Sequence, residues 1–137
     1  MLITVLAVIT SAKDEGPTAK ASPRAKPSPT RSLEAWQHVP TAQRRAFVAY
    51  LHQLDPGLTP TSPGAKARPL RRAVSVCWDI YGGKPAATVL KNTAYRYNGG
   101  QASVPDRSAK ARRILAAARR WICSAKELRA VYDARHP

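Results

Sequence analysis

The sequence predicts an all-α domain of four or five helices that carries one disulfide. Apolar side chains recur at intervals of three and four residues in several segments, which is typical of amphipathic helices. No segment shows the sustained alternation of apolar and polar residues expected of a half-buried strand. The chain also contains two cysteines, Cys77 and Cys123, and each lies on or beside one of the apolar helical faces.

The 137 residues begin with a signal-like segment. Residues 1–12 are almost wholly apolar and too few to span a bilayer, which takes about 20 residues. Their length suits the apolar core of a signal peptide. Thr10 and Ala12 fit the small-residue positions of a cleavage site before Lys13, although no positive charge precedes the apolar run. The alternative to an export signal is a packed or frayed N-terminal strand.

A basic segment rich in proline separates this start from the predicted domain. Residues 13–32 contain four prolines, with Ser, Thr and Lys, and almost no large apolar side chain. Such a segment buries too little to offset the entropy of ordering, so we predict a flexible tether. The helical domain then comprises residues 33–137. Within it, residues 55–64 carry three prolines and two glycines, which indicates a loop.

The first two predicted helices each end at a turn signal. Thr41 is a candidate N-cap for the first helix, which ends at Asp55, where an Asp-Pro-Gly sequence stops it. The second helix covers residues 67–81 and ends at Gly82. Their apolar faces consist of Phe47, Val48, Leu51 and Leu54 in the first, and Leu70, Val74, Cys77 and Tyr81 in the second.

Two further helices and a short last one follow. Pro85 suits the first turn of the third helix, which ends at an Asn-Gly-Gly sequence. A capping pair, Ser103 and Asp106, predicts the start of the fourth, and a second pair, Ser124 and Glu127, predicts the start of the last. Their apolar faces are Val89, Leu90, Thr93 and Tyr97; then Ala111, Ile114, Leu115, Ala118 and Ile122; then Leu128, Val131 and Tyr132.

The two cysteines are predicted to form a disulfide. Cys77 and Cys123 belong to two amphipathic helices in a chain with an export-like start, and disulfides persist in exported proteins. Their Cα atoms should then lie about 4.4–6.8 Å apart. Two buried free thiols in a cytosolic protein are the alternative. A zinc site is not expected, because the cysteines lack paired spacing and no histidine lies within a few residues of either.

Part of the chain resembles a known group of proteins. Residues 76–83, VCWDIYGG, and the helix over residues 111–123 carry the likeness. The whole segment 51–123 resembles small exported actinobacterial proteins grouped as a domain of unknown function, common in mycobacteria and streptomycetes. These have a signal peptide and a short helical domain with one pair of cysteines. The resemblance implies a helical fold and export, and it implies no known activity.

The chain is strongly basic. Twenty-three Lys and Arg face eight Asp and Glu, for a formal net charge of +15. Such an excess attracts nucleic acid, anionic lipid or acidic wall polymer. The alternative is that the arginines only form solvated helical faces. Two arginine pairs seven residues apart recur on one side of the fourth helix, and with a nearby lysine they are the candidate anion-binding residues: Lys110, Arg112, Arg113, Arg119 and Arg120.

Two classes of anionic partner follow from this pattern. The second helix also carries Arg68, Arg71 and Arg72, and an Arg-rich helix can lie along DNA phosphates. The basic face offers almost no Asn, Gln or Ser to read bases, however. Anionic lipid or wall polymer of the cell envelope is therefore the expected partner. An intracellular nucleic-acid-associated protein with reduced cysteines is the alternative.

No grouping of residues predicts catalysis. The acidic residues are scattered, the three histidines lie far apart, and the sequence Gly82-Gly83-Lys84 lacks the frame of a phosphate loop. We expect a non-enzymatic protein without metal or cofactor, secreted or held in the cell envelope. Trp78 and Trp121 lie close in sequence to the cysteines and are expected to shield the disulfide, with a ligand cage as the alternative.

Overall fold

The computed structural model describes residues 32–137. The signal-like segment predicted for residues 1–12 and nearly all of the tether predicted for residues 13–32 lie outside the described residues. Leu33–Pro137 forms one compact unit. In the described part there are five helices and no strand, which confirms the all-α prediction. The helices are α1 (Thr41–Leu54), α2 (Arg68–Tyr81), α3 (Ala86–Tyr97), α4 (Ala109–Ala117), which continues as a π-helical segment (Ala118–Cys123), and α5 (Lys126–Arg135).

Helix α2 occupies the centre of the domain. It packs against α3 and against the π-helical segment, and α1 packs against that same segment. The core is built from a few large side chains and several alanines. Its largest fully buried members are Tyr97, Phe47, Leu51, Ile114, Ile122 and Leu128.

Buried polar groups hold neighbouring helices in register. The Tyr97 hydroxyl donates to the Pro69 carbonyl oxygen at 2.7 Å, which joins α3 to the start of α2. Burial raises the pKa of Tyr97 far above its ordinary value, so this hydroxyl stays a donor. The Gln43 side chain donates to the Trp121 carbonyl oxygen at 2.8 Å and joins α1 to the π-helical segment.

The loop after α1 is fixed at Asp55 and Gly57. The Asp55 carboxylate accepts a hydrogen bond from the Gly57 backbone N–H at 2.8 Å, which stops α1 where the sequence predicts. A Cβ atom at Gly57 would collide with the Gln101 carbonyl oxygen. Only glycine allows this close approach, so the loop after α1 lies directly against the loop between α3 and α4.

Helices α4 and α5 do not begin at the predicted capping pairs. Helix α4 starts at Ala109, and Ser108, not Ser103, caps it by accepting from the Ala111 N–H at 3.1 Å. Helix α5 starts at Lys126 after Ala125, because the Ser124 hydroxyl donates backwards to the Arg120 carbonyl oxygen at 2.6 Å. Both predicted caps were wrong, because Ser108 lies directly before α4 and the Ser124 hydroxyl is bonded to the preceding turn.

Candidate anion-binding site

The disulfide fixes the end of the π-helical segment to the centre of α2. Cys77 and Cys123 are bonded, with their Cα atoms 5.2 Å apart, inside the predicted range. The π-helical segment buries Ile122 and leaves Arg119 and Arg120 exposed on the other side. The same short stretch therefore carries both the disulfide and half of the predicted basic face.

Aromatic rings near the cysteines in sequence pack between helices. Trp78 and Tyr81 each contact Tyr132 of α5, with ring centroids 5.3 Å apart in both pairs. The Tyr81 hydroxyl donates to the Cys123 carbonyl oxygen. Trp121 packs against Tyr50 of α1, with ring centroids 5.6 Å apart. Both tryptophans thus contribute to helix packing, and their shielding of the disulfide stays a prediction.

Most positive charges of the domain have no acidic partner within it. Residues 32–137 contain 18 Lys and Arg and six Asp and Glu. Five of the acids form ion pairs with six of the cations. Twelve cations are thus without an ion pair among the described residues. Because few acids offset these cations, the surface of the domain carries a strong positive electrostatic potential.

The ion pairs of Asp79 connect neighbouring elements of the fold. Its side chain is 6% exposed and contacts Arg96 at 2.6 Å, Lys84 at 2.9 Å and the Asn92 amide at 3.1 Å. Burial alone would raise the pKa of Asp79, but the hydrogen bonds from Arg96, Lys84 and Asn92 outweigh burial and lower it. The ionised carboxylate joins α2 to α3 and to the turn between them.

The four arginines predicted to form the basic face are all exposed. Arg112 and Arg113 lie on α4, and Arg119 and Arg120 lie on the π-helical segment that continues it. None of the four forms an ion pair within residues 32–137. The Arg120 guanidinium lies 4.9 Å from the Trp121 ring centroid, a cation–π contact that leaves its charge unneutralised. We call these four residues the α4 arginines.

Lys110, the fifth predicted residue, is engaged elsewhere. Its ammonium contacts the Asp55 carboxylate at 2.8 Å and the Ser103 carbonyl oxygen at 3.0 Å. The hydrogen bond from Lys110, with that from the Gly57 N–H, lowers the pKa of Asp55. Lys110 therefore ties α4 to the loop after α1, and its charge is already partnered.

A second basic surface lies between α2 and α3. The arginines that the sequence places on α2 line an open pocket together with Tyr95, Arg96 and Asn98 of α3 and its C-cap. The sequence does not predict that these α3 residues line the pocket, because no local pattern indicates which face of α3 meets α2. The only hint in the sequence is an Arg-Tyr-Asn cluster near the end of a helix.

No group of three or more His, Cys, Asp or Glu side chains within residues 32–137 has the geometry to hold a metal ion. In the same part of the chain, no helix has both the length and the apolar content needed to cross a membrane.

The chain matches no known protein family, no curated protein and no solved structure. The structure agrees with the coarser part of the resemblance drawn from residues 76–83 and 111–123. It is a small all-helical domain with one disulfide between Cys77 and Cys123.

Proposed function

We propose that this chain is an exported, non-enzymatic protein that binds phosphate-bearing lipid or polymer of the cell envelope through the α4 arginines. The observation that carries the proposal is the exposure of four cations on one helix without an acidic partner in the described domain. Phosphates arranged along a surface or polymer attract such a row of charges and release their counterions on binding.

The disulfide supports export over the intracellular alternative. Disulfides persist in oxidising compartments and are rare where glutathione keeps thiols reduced. The Cys77–Cys123 bond also joins the two central elements of the fold, so a reducing compartment would remove a large part of its stability. We infer export, and with it the likeness to exported actinobacterial domains, from this disulfide and from the apolar residues 1–12.

The absence of an enzymatic role is part of the same proposal. Five of the six described acids are engaged in ion pairs, which leaves few carboxylates available for proton transfer. The His52 ring contacts the Thr59 hydroxyl at 2.8 Å, and the His136 ring contacts the Tyr132 carbonyl oxygen at 2.9 Å. These histidines lie at separate places and have structural partners.

Vesicle sedimentation tests the proposal. The protein should sediment with phosphatidylglycerol vesicles at low salt, remain free with phosphatidylcholine vesicles, and lose binding as salt approaches about 0.15 M. Replacing the four α4 arginines with glutamine should abolish sedimentation. A matched control removes the same net charge elsewhere, at Lys66, Lys91, Lys126 and Arg135, and should retain most of the binding.

Three results would contradict the proposal. Equal loss of binding in both variants would mean that net charge alone, and not the α4 arginines, attracts the vesicles. Binding to no polyanion at low salt would leave the arginines as a solvated face. DNA duplexes of unrelated sequence should compete equally, because phosphate contacts carry no sequence information. A preference for one duplex that survives moderate salt would favour the nucleic-acid alternative.

A further inference from the structure

Four arginines converge on one open pocket between α2 and α3. The pocket has a volume of about 470 Å³, and Asp and Glu are absent from its lining. Arg68, Arg71 and Arg72 come from α2, and Arg96 comes from α3. This surface is distinct from the α4 arginines, since the two sets share no residue.

Two of these arginines are held in place by acids. The Arg71 guanidinium forms a two-pronged pair with the Glu34 carboxylate, at 2.8 and 2.9 Å. Arg96 donates to Asp79 at 2.6 Å. Their positive charges are neutralised by these partners, so the unpaired charge at the pocket comes from the other two arginines.

The other two arginines carry charge that nothing in the described domain offsets. Arg68 and Arg72 are four residues apart on α2, where like charges destabilise a helix, and neither has an ion pair within residues 32–137. Burial, followed by the charge of Arg68, lowers the pKa of Arg72. Arg68 is exposed and Arg72 is half-buried, so an anion that reaches both guanidinium groups from the solvent would relieve the repulsion between them.

The rim adds a ring and an amide to these charges. Tyr95 is 84% exposed, whereas most large hydrophobic side chains of the domain are packed. Asn98 accepts a hydrogen bond from the Val104 N–H at 2.8 Å through its side-chain oxygen, which leaves its amide N–H groups as donors at the pocket. A ligand that joins an oxyanion to a ring would use both features, since an aromatic face packs against a flat apolar surface.

We propose that the α2–α3 pocket binds a phosphate monoester of a sugar, with the phosphate between Arg68 and Arg72 and the sugar ring against Tyr95. A phosphate monoester carries between one and two negative charges at neutral pH, which matches the two unpaired guanidinium groups. Arginine is suited to this role because its planar fork donates two parallel hydrogen bonds to phosphate oxygens. The proposal stands independently of the α4 arginines.

The binding pocket also continues beyond the phosphate position. Arg68 and Arg72 line a second, neighbouring cavity of about 480 Å³, with Gly99, Gly100 and Gln101 on its far wall. Because both cavities meet at the same two arginines, a longer sugar chain that ends in phosphate has room on either side of them.

Calorimetric titration of the full chain at low salt tests the proposal. The probes are a glucose phosphate, a glucose sulfate, inorganic phosphate and unsubstituted glucose. The glucose phosphate should bind most tightly, inorganic phosphate and glucose sulfate more weakly, and glucose not at all. The sulfate ester is the charge control, because it carries one negative charge on the same sugar.

Three single variants separate the parts of the site. Arg72→Gln should weaken both phosphate probes by roughly tenfold or more, since a charged hydrogen-bond donor is lost. Tyr95→Ala should reduce the affinity for glucose phosphate to that for inorganic phosphate, and because Tyr95 is highly exposed this substitution removes little packing. Lys126→Gln removes an equal charge from α5, away from both basic surfaces, and should leave both affinities within about twofold. Thermal melts of all three variants check that each is folded.

The outcomes also distinguish this proposal from the envelope-binding function. The variant without the α4 arginines should lose vesicle binding and keep glucose phosphate binding. The Arg72→Gln variant should keep vesicle binding and lose most of its affinity for glucose phosphate. The proposal is overturned if Lys126→Gln weakens the phosphate probes as much as Arg72→Gln does. It is equally overturned if Tyr95→Ala has no effect, or if no phosphate probe binds.

Discussion

Charge is treated in opposite ways in two regions of this small domain. Between α2 and α3, the buried Asp79 carboxylate engages Lys84 and Arg96 at 2.6–2.9 Å. We call the disulfide, Asp79 and these two cations, which join α2 to its neighbours, the stapled side of the comparison. On α4 and the π-helical segment that continues it, four exposed arginines have no acidic partner within residues 32–137. The charged side chains that link α2 to α3 are paired and shielded, whereas the α4 arginines link no elements and face the solvent.

This difference separates what the fold requires from what it can offer to a partner. Pairing around Asp79 opposes the cost of burying a carboxylate and adds contacts between α2 and α3. The α4 arginines add repulsion and little packing, so they do not stabilise the fold beyond their helix propensity. Removing groups from the stapled side should therefore change stability, and removing the α4 arginines should change binding.

Loss of the disulfide should have the largest effect on stability. A bond that links residues 46 apart in sequence restricts the unfolded chain, which stabilises the fold by about 4 kcal/mol in the chain-entropy model. The double variant Cys77→Ala, Cys123→Ala should melt about 15 °C or more below the wild type, as followed by circular dichroism. A decrease of only a few degrees would show that the stapled side owes its stability to packing alone.

Asp79→Asn should have the next largest effect. The amide keeps the size of the carboxylate but leaves Arg96 and Lys84 without a negative partner, and both cations stay partly hydrated. We expect a loss of about 2 kcal/mol in the free energy of unfolding, measured by urea titration.

Asp133→Asn is the matched control for this substitution. It breaks the exposed ion pair with Arg129 on α5, which spans 3.1 Å. An exposed pair one helical turn apart is worth about 0.3–0.5 kcal/mol. Equal losses from Asp79→Asn and Asp133→Asn would remove the distinction between shielded and exposed charges on which the comparison rests.

Helices and the disulfide could be predicted from the sequence because each depends on local patterns. The apolar stripes of α1, α2 and α3 have the period of a helix, and the stop signals at Asp55 and Gly82 act on their own neighbours. The two cysteines lay on predicted apolar faces, and a chain with only two has one possible intramolecular pairing.

The candidate sites were less predictable because they depend on distant residues. Lys110 looked like a member of the basic face, but its partner Asp55 lies 55 residues away and belongs to another loop. The pocket between α2 and α3 likewise needs Arg96, whose orientation is set by Asp79 across the helix pair. Local periodicity shows which residues of a helix are apolar, and it does not show which helix a polar face will meet.

Acid should destabilise the domain through its paired carboxylates. Asp79 and Asp55 have pKa values below the ordinary aspartate value of about 3.9, because cations and N–H groups stabilise their ionised forms. A group whose folded pKa is lowered contributes stability above its unfolded pKa and loses it as the pH falls through the folded pKa. The melting temperature should thus stay level above about pH 5 and fall below about pH 4. The fall should be shallower in Asp79→Asn, and an equal slope in both proteins would assign acid sensitivity to other groups.

Salt should have the smallest effect, and its sign distinguishes the two sides. Raising a chloride salt from about 0.01 M to about 0.15 M shortens the screening length from about 30 Å to about 8 Å. Repulsion among exposed cations is screened, whereas the shielded contacts of Asp79 with Lys84 and Arg96, each under 3 Å, change little. We expect the melting temperature of the wild type to rise by about 1–3 °C. In the variant with glutamine in place of all four α4 arginines, the rise should be smaller, because part of the repulsion is already gone. At low salt, the melting temperature of this variant should equal or exceed that of the wild type. A decrease with salt would mean that attraction between surface ion pairs outweighs this repulsion.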